Sequence, residues 1–355
     1  MAFRVVEWST GNVGRHAIAG IDSNPALELV GVYVSNPDKV GKDAGELAGL
    51  DRKLGVAASN DVEALLALKP DCIVHTAWAD DRLMECLADL SNFLRHGINV
   101  VSSGPVFLQY PYGVADGLAK GVIAAAKEGG ASLFVNGVDP GFGNDALPLV
   151  ITGISEWIEE VRVMEILNYA TYNQATVLFD IMGFAKPMDE VPFLLQPGVP
   201  TLAWGSVVAQ LVAGLGLELD HIEEWYERVA APHDITVDAG LVPKGTVAGL
   251  HFELRAHVKG GQVPVVLEHV TRLDDALAPE WPQPAGHGCY RVKVTGEPIY
   301  TVDLQLLGTD GDHNTAGLKA TAMRLVNAVP AIVAADAGLV TALDLPMITG
   351  KGLVR

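Results

Sequence analysis

Val5-Val6-Glu7-Trp8-Ser9-Thr10-Gly11-Asn12-Val13-Gly14-Arg15-His16-Ala17 is the stretch that decides how this chain is read. Val5 and Val6 open a short strand, Thr10 to Gly14 makes a tight turn, and the helix that follows sets Val13, Ala17 and Ile21 on one face. Asp22-Ser23-Asn24-Pro25 stops that helix, because proline cannot continue it. Gly11 is expected to turn the backbone sharply and Gly14 to let it approach a ligand closely. The first amides of the helix have no intrahelical partner, and with the helix dipole they form an anion site suited to a pyrophosphate. Thr10, Gly11, Asn12, Val13 and Gly14 are therefore the expected phosphate contacts. The pattern from Gly11 to Ala17 is G-x-x-G-x-x-A rather than the usual G-x-G-x-x-G. Its place after a first strand and before a helix favours dinucleotide binding over an ordinary strand-to-helix turn.

The chain has 355 residues, more than one compact core holds and about right for two domains. Its 49% hydrophobic and 19% charged residues favour a large core over disorder. A formal net charge of -19 argues against nucleic acid and anionic membrane as partners. Cys72, Cys86 and Cys289 are scattered, without metal-ligand spacing, and read as small buried hydrophobes. Met1-Ala2-Phe3-Arg4 runs straight into the first strand without a signal core, and no apolar run is long enough to span a bilayer. A cytoplasmic soluble protein is expected.

Strands are expected over Glu28 to Ser35, Cys72 to Thr76, Ile98 to Ser102 and Ser132 to Val135. Helices are expected over Asp61 to Leu68, Asp80 to His96 and Val114 to Glu128. This alternation through residue 150 predicts an α/β dinucleotide-binding domain: a Rossmann-type, doubly wound parallel sheet with its ligands at the C-terminal strand ends. The pattern then changes to long strands over Glu159 to Tyr169, Leu217 to Val229, Thr246 to Val258, Gln262 to Leu273, Tyr290 to Val294 and Ile299 to Leu307. Helices fall at Thr176 to Phe184 and Gly205 to Gly214. Residues 151–310 thus read as an α+β domain with an open, largely antiparallel sheet, one face of which would cover the nicotinamide end of the cofactor. Residues 311–355 read as a tail that returns to the first domain, with a helix capped by Asp312 or Asn314. Leu318, Ala322, Leu325 and Val329 line one face of that helix, and Pro330 ends it.

An acidic residue that would bind an NAD ribose belongs near the end of the second strand. That place holds Val34-Ser35-Asn36-Pro37-Asp38-Lys39. Without a carboxylate at the strand tip, Ser35 and Asn36 can donate to a 2′-phosphate and Lys39 can supply charge, so NADP is favoured, with NAD as the other cofactor this fold takes. His75, Thr76 and Ala77, then Ser102 and Ser103, end the third and fourth strands and would face the ribose and nicotinamide. His75 also reads as a packed histidine bonded to backbone. His233, His251, His257 and His269 lie in or beside strands without ligand spacing, and no metal is expected. After the fifth strand comes Asn136-Gly137-Val138-Asp139-Pro140-Gly141-Phe142-Gly143-Asn144-Asp145. Asp145 reads as a helix N-cap and Asp139 as the freer carboxylate, an acid/base candidate with Tyr172 as hydrogen-bond partner. Asp139 also fits a plain Asp-Pro turn. Asn168, Tyr169 and Tyr172 cluster at the end of a long strand and would line a pocket with Phe142. Val106 and Phe107 add an apolar lining suited to a small hydrophobic carbonyl compound.

With these residues in view, the chain resembles the dihydrodipicolinate-reductase-like dinucleotide-binding family. It is most similar to the branch of 2,4-diaminopentanoate dehydrogenase and the native amine dehydrogenases. The matching segments are Trp8 to Arg15, Val32 to Leu47, Asn99 to Ser103, Gly137 to Phe142, Ala320 to Asn327 and Asp344-Leu345-Pro346. The resemblance implies an NAD(P)H-dependent amine dehydrogenase that acts on small carbonyl compounds and ammonia, and a homodimer built through the second domain. The chain departs from that branch at one point. The strand ending at Ser102-Ser103 is followed there by a catalytic glutamate, whereas here Gly104-Pro105-Val106-Phe107-Leu108-Gln109-Tyr110-Pro111 carries no carboxylate. Either the acid has moved across the pocket or amination is lost. The rival readings are a hydroxyl/carbonyl dehydrogenase that needs no ammonia and a non-catalytic NADP-binding sensor.

Overall fold

The computed structural model describes residues 2–79 and 82–354. The elements follow in chain order as β1 (Phe3–Trp8), α1 (Asn12–Ser23), β2 (Leu27–Tyr33), α2 (Ala44–Ala48), β3 (Ala58–Ser59), α3 (Val62–Ala67), β4 (Cys72–His75), α4 (Leu83–Arg95), β5 (Asn99–Ser102), α5 (Asp116–Gly129) and β6 (Ser132–Val135). Next come α6 (Ala146–Thr152), β7 (Trp157–Asn168), α7 (Val199–Gly214), β8 (Leu219–Ala230), β9 (Ile235–Val237), β10 (Gly240–Val242), β11 (Val247–Val258), β12 (Val265–Arg272), β13 (Gly288–Glu297) and β14 (Tyr300–Leu304). The chain closes with α8 (His313–Val333) and β15 (Gly338–Val340). It divides into two compact units. One comprises residues 1–111, 115–138 and 318–355, the other 112–114 and 139–317.

The first unit holds a parallel seven-stranded sheet ordered β15-β6-β5-β4-β1-β2-β3. Successive side chains of a strand point to opposite faces. Val6, Trp8, Ile73 and Val100 pack with Leu87, Leu90 and Leu94 of α4 on one face. On the other, Val5, Val74 and Val101 pack with Ala17 and Ile21 of α1 and with Ala322, Leu325 and Val329 of α8. The periodicity read from the sequence is thus what buries α1, α4 and α8. The helix expected from Asp80 starts at Leu83; Asp80 and Asp81 lie outside the described residues. Cys72, Cys86 and Cys289 are buried and form no disulfide.

The second unit holds a six-stranded sheet ordered β14-β13-β7-β12-β11-β8, in which only β7 and β12 run parallel. Its inner face packs on α7, and β12 is buried along its whole length. On its outer face Arg162 Nη1 reaches Glu253 at 2.7 Å and Glu268 at 2.5 Å, while His251 lies between Glu227 and Glu268, 2.9 Å from each. Among the described residues no helix is long and apolar enough to cross a membrane.

Four local expectations are corrected. Pro330 lies inside α8 rather than at its end, because Val329 and Ile332 on either side are fully buried and their packing outweighs the one lost backbone bond. Helix α7 starts at Val199, six residues before the expected Gly205. Glu224 of β8 accepts from the Gly198 and Thr201 amides and so caps it from another strand. The expected helix from Thr176 to Phe184 is a wide helical turn over Thr176–Ile181. The tail adds a strand, β15, to the first sheet.

Candidate active site

In the turn after β1 the demanding backbone position is Ser9, with φ 108°; Gly11 has an ordinary φ of -76°. Ser9 therefore stands where the first glycine of G-x-G-x-x-G would, and the sharp turn expected at Gly11 falls two residues earlier. The Ser9 hydroxyl accepts from the Gly11 amide at 3.3 Å. A Cβ on Gly14 would lie 2.3 Å from the Ser9 carbonyl oxygen and 2.8 Å from Thr76 Oγ1. The glycine there is thus required by the packing of the turn itself, rather than by close approach of a ligand. A Cβ on Gly11 would meet only Ser9 Oγ, at 3.7 Å, so the side open to a phosphate is at Gly11.

A cavity of about 290 Å³ extends from this turn. Thr10, Gly11, Ser35, Asn36, Lys39 and Ala77 line it, all of them expected from sequence. Lys39 Nζ donates to the Thr10 carbonyl at 3.2 Å and to its hydroxyl at 3.0 Å, and so braces the turn it borders. Asn36 Oδ1 accepts from the Asp38 amide, which leaves its amide nitrogen as the donor on offer. Trp78 and Arg82 line the same cavity and were not expected as site residues; Trp78 follows β4 and Arg82 immediately precedes α4. The lining offers an aromatic face, two cations, the Asp89 carboxylate beside Arg82 and an open helix N-terminus, groups that could hold the adenosine half of a nicotinamide dinucleotide.

His75 is fully buried, and burial pushes its imidazole down to about 4. Its Nδ1 lies 2.9 Å from Ser102 Oγ, whose hydroxyl donates to the Gly104 carbonyl at 2.5 Å. Since that hydroxyl proton is committed, His75 Nδ1 must be the donor. Of the two readings of His75, the packed histidine is the one that matches its surroundings. Thr76 Oγ1 donates to Glu7 Oε1 at 2.5 Å. Glu7 is a fully buried carboxyl group, raised well above its usual range by burial and only partly brought back by Thr76. Ser103 is half-buried.

In the second unit Asp139 opens the Val138–Phe142 turn, and Asp145 caps α6 as expected. Asp139 Oδ1 accepts from Trp204 Nε1 of α7 at 2.8 Å and lies 3.4 Å from His269 Nε2. His269 Nδ1 is 3.6 Å from Glu165 Oε1, which also accepts from the Tyr169 hydroxyl at 2.7 Å. Glu165 and His269 are register partners on the adjacent parallel strands β7 and β12. Aromatic rings close the site. Phe252 stacks on His269 at 4.9 Å, Trp204 lies 4.6 Å from the same ring, and Tyr172 stacks on Tyr169 at 5.0 Å. The Trp204 indole is a donor to Asp139 that the sequence did not suggest.

Burial, and then the charge of Asp139, push Glu165 up to about 7, against the pull of His269 and the Tyr169 hydroxyl. Burial pulls His269 down, but the charge of Asp139 and then that of Glu165 raise it overall, while its Nε2 makes no hydrogen bond in this geometry. Tyr290 is raised by burial and by the same two carboxylates, so it too faces them. The result is a buried row, Asp139–His269–Glu165, in an aromatic surround, with Glu165 raised to about 7 and His269 raised as well. One imidazole and two carboxylates within 4.8 Å of one another also have the donor types of a divalent-cation site.

Of the remaining expected residues, Phe107 packs into the core of the first unit at 3% exposure and is not a lining residue. Val106 and Phe142 are half-buried. Asn168 is spent on structure: its side chain bonds Asp275 and the Ala170 amide, and its carbonyl accepts from His313 and Asn314. Glu165, His269 and Trp204 were missed as site residues. The available signal was a lone carboxylate at the inward position of the apolar run Val161 to Leu167, and a lone histidine in the matching run Val265 to Val270.

Residues 5–101 match the family model of the dihydrodipicolinate reductase N-terminus, and residues 144–352 match the 2,4-diaminopentanoate dehydrogenase C-terminal domain. The chain is 42% identical over 346 residues to an amine dehydrogenase of Streptomyces virginiae, covering 96% of each. Among solved structures it resembles the amine dehydrogenase of Mycobacterium smegmatis with a TM-score of 0.79 at 24% identity, over 99% of this chain and 98% of that one. An oxidoreductase of Agrobacterium radiobacter, solved with NAD+, L-tartaric acid and magnesium, has a TM-score of 0.59 at 11% identity, over 97% and 92%.

Two substitutions in the turn should act in opposite directions. Ser9→Gly relieves the positive φ and should raise unfolding stability by about 1 kcal/mol, read by chemical denaturation. Gly14→Val drives a side chain into the Ser9 carbonyl and should abolish cofactor binding while the rest of the fold survives. Normal NADPH binding by Gly14→Val would show that the turn is not the cradle.

Proposed function

The chain belongs to the amine dehydrogenase family, its C-terminal part built on the 2,4-diaminopentanoate dehydrogenase domain, and we propose that it is an NADPH-dependent enzyme that converts small apolar aldehydes and ketones with ammonia into primary amines, and the reverse. We read it as a cytoplasmic homodimer joined through the second unit, which light scattering at twice the chain mass would support. The observation that carries the proposed chemistry is the buried row Asp139–His269–Glu165. The loop from Gly104 to Tyr110 offers no carboxylate, and we assign the acid's role to this row.

Ammonium must lose a proton before its nitrogen can attack a carbonyl carbon. Glu165, poised at about 7, accepts that proton as a carboxylate. Once protonated, it returns the proton to the hydroxyl of the hemiaminal, which leaves as water and yields an iminium ion. The charge of Asp139, fixed by the Trp204 indole, and the faces of Tyr169, Tyr172 and Phe252 stabilise that cation. His269, held between the two carboxylates, relays protons between them. When bound, the reduced nicotinamide supplies the hydride that completes the amine. The balance is one carbonyl, one ammonium and one hydride to one amine and one water. In the cofactor site, Ser35, the amide of Asn36, Lys39 and Arg82 support a 2′-phosphate, with no carboxylate at the tip of β2 to repel it.

Asp139→Asn is expected to lower amination turnover by about a hundredfold with NADPH affinity nearly unchanged. Glu165→Gln should do the same and flatten the pH profile. In the parent enzyme amination rises as pH passes through about 7, because only the ionised Glu165 can take the ammonium proton. NADPH oxidation with a small aldehyde, with and without ammonium, checks both. Parent-like amination by both variants, or equal turnover without ammonium, would remove the row from the chemistry.

Ser35→Asp should turn the cofactor preference from NADPH to NADH, since a carboxylate repels the 2′-phosphate but accepts from a ribose hydroxyl. Binding titrations with both cofactors decide it. Equal or tighter NADH binding by the unmodified protein contradicts the NADP reading.

A further inference from the structure

We propose that Glu7 is a positioning residue of the cofactor-phosphate site, an uncharged carboxylic acid that buttresses the glycine turn from below through Thr76. The inference rests on the reading of the Ser9–Gly14 turn as the pyrophosphate cradle. Glu7 lies on β1, on the face of the first sheet that α1 and α8 cover, and has no exposed surface. Thr76 Oγ1 donates to its Oε1 at 2.5 Å, and the same Oγ1 would touch a Cβ on Gly14 at 2.8 Å. Carboxyl, hydroxyl and turn are therefore stacked in direct contact, and the hydroxyl fixes the height of the Gly14 backbone. Oε2 has no hydrogen-bond partner, and Glu7 makes no ion pair among the described residues.

A buried carboxylate needs several donors or a cation, and one hydroxyl is not enough. Among the described residues the ionisable groups on the elements over this face are Arg15, His16 and Asp22 of α1, His313, Lys319 and Arg324 of α8, and Asp336, Asp344 and Lys351 of the tail; His313 bonds the Asn168 carbonyl. Arg15, Lys319, Asp336 and Lys351 are exposed, and Asp22 pairs with Arg52. Asp344 accepts from Thr341, His16 is half-buried on α1, and Arg324 Nε donates to Asn136 Oδ1 beside β6, three strands from β1. The group therefore stays protonated, in keeping with its raised titration. Ionisation would place a negative charge directly beneath the seat of the pyrophosphate, so the cofactor and the Glu7 proton bind with mutual reinforcement.

NADPH titrations of the full-length protein and its Glu7→Gln, Glu7→Ala and Thr76→Val variants test this, with turnover in parallel. Glu7→Gln keeps the acceptor and the neutrality, and should hold Kd within about twofold at neutral pH. Glu7→Ala and Thr76→Val should weaken binding about tenfold, and in Glu7→Ala the KM for NADPH should rise more than kcat falls. As pH rises, the parent Kd should climb by up to about tenfold per unit once Glu7 ionises, while Glu7→Gln stays flat. In denaturation the parent should likewise lose stability relative to Glu7→Gln as pH rises above the ordinary carboxyl range, because the folded state alone holds that proton. Loss of affinity in Glu7→Gln equal to that in Glu7→Ala, or one pH profile shared by parent and Glu7→Gln, overturns the proposal. Should the Glu7 variants fail to fold, wild-type affinity in Thr76→Val overturns it. Failure of the parent to bind NADPH at neutral pH would instead remove the cradle reading beneath it.

Discussion

Two carboxylates and an imidazole, buried within reach of one another, cannot all hold the charges they would carry in water. That constraint governs the second unit. Trp204 donates to Asp139 and Tyr169 to Glu165, and the Phe252 ring stacks on the His269 that lies between them. Burial and then the charge of Asp139 raise Glu165, and the charges of Asp139 and Glu165 in turn raise His269 against its burial.

The row holds only if β7 and β12 keep their register, and the outer face of the sheet secures it. Glu268 and His269 are consecutive, so their side chains emerge on opposite faces. Glu268 is tied to Arg162 of β7 and His251 of β11, while His269 faces Glu165 of β7. A slip of one residue would put His269 outside and leave Glu268 unpaired within the core. Buried ion pairs add little net stability, but losing one partner costs about 3–5 kcal/mol. This network is therefore better understood as a register lock than as a source of stability.

The first unit applies the same economy to a backbone. Ser9 accepts a positive φ, Gly14 makes room for the Ser9 carbonyl and the Thr76 hydroxyl, and Thr76 stands on Glu7. Lys39 ties Thr10 from the side. The open amides at the start of α1 are thus aimed by three strands' worth of side chains, and strain at one non-glycine residue persists because its surroundings over-determine it.

Local pattern alone fixed the class of both sheets, the buried faces of α1, α4 and α8, the caps at Asp145 and Asp312, and the turn that opens the cofactor cavity. These features depend on residues within one or two turns of each other, where periodicity and capping act. Asp139 was legible because a carboxylate in a glycine-rich loop after a strand stands out. What the chain could not announce was anything made by residues far apart. Glu224 caps α7 from another strand, Glu165 meets His269 across a parallel pair more than a hundred residues apart in sequence, and Trp204 reaches Asp139 from a helix. Phe107 shows the converse, an apolar loop residue that only packing could assign to the core. Burial and charge proximity set the proton affinities of the row, and both are properties of the assembled sheet, so the tertiary structure alone decided them.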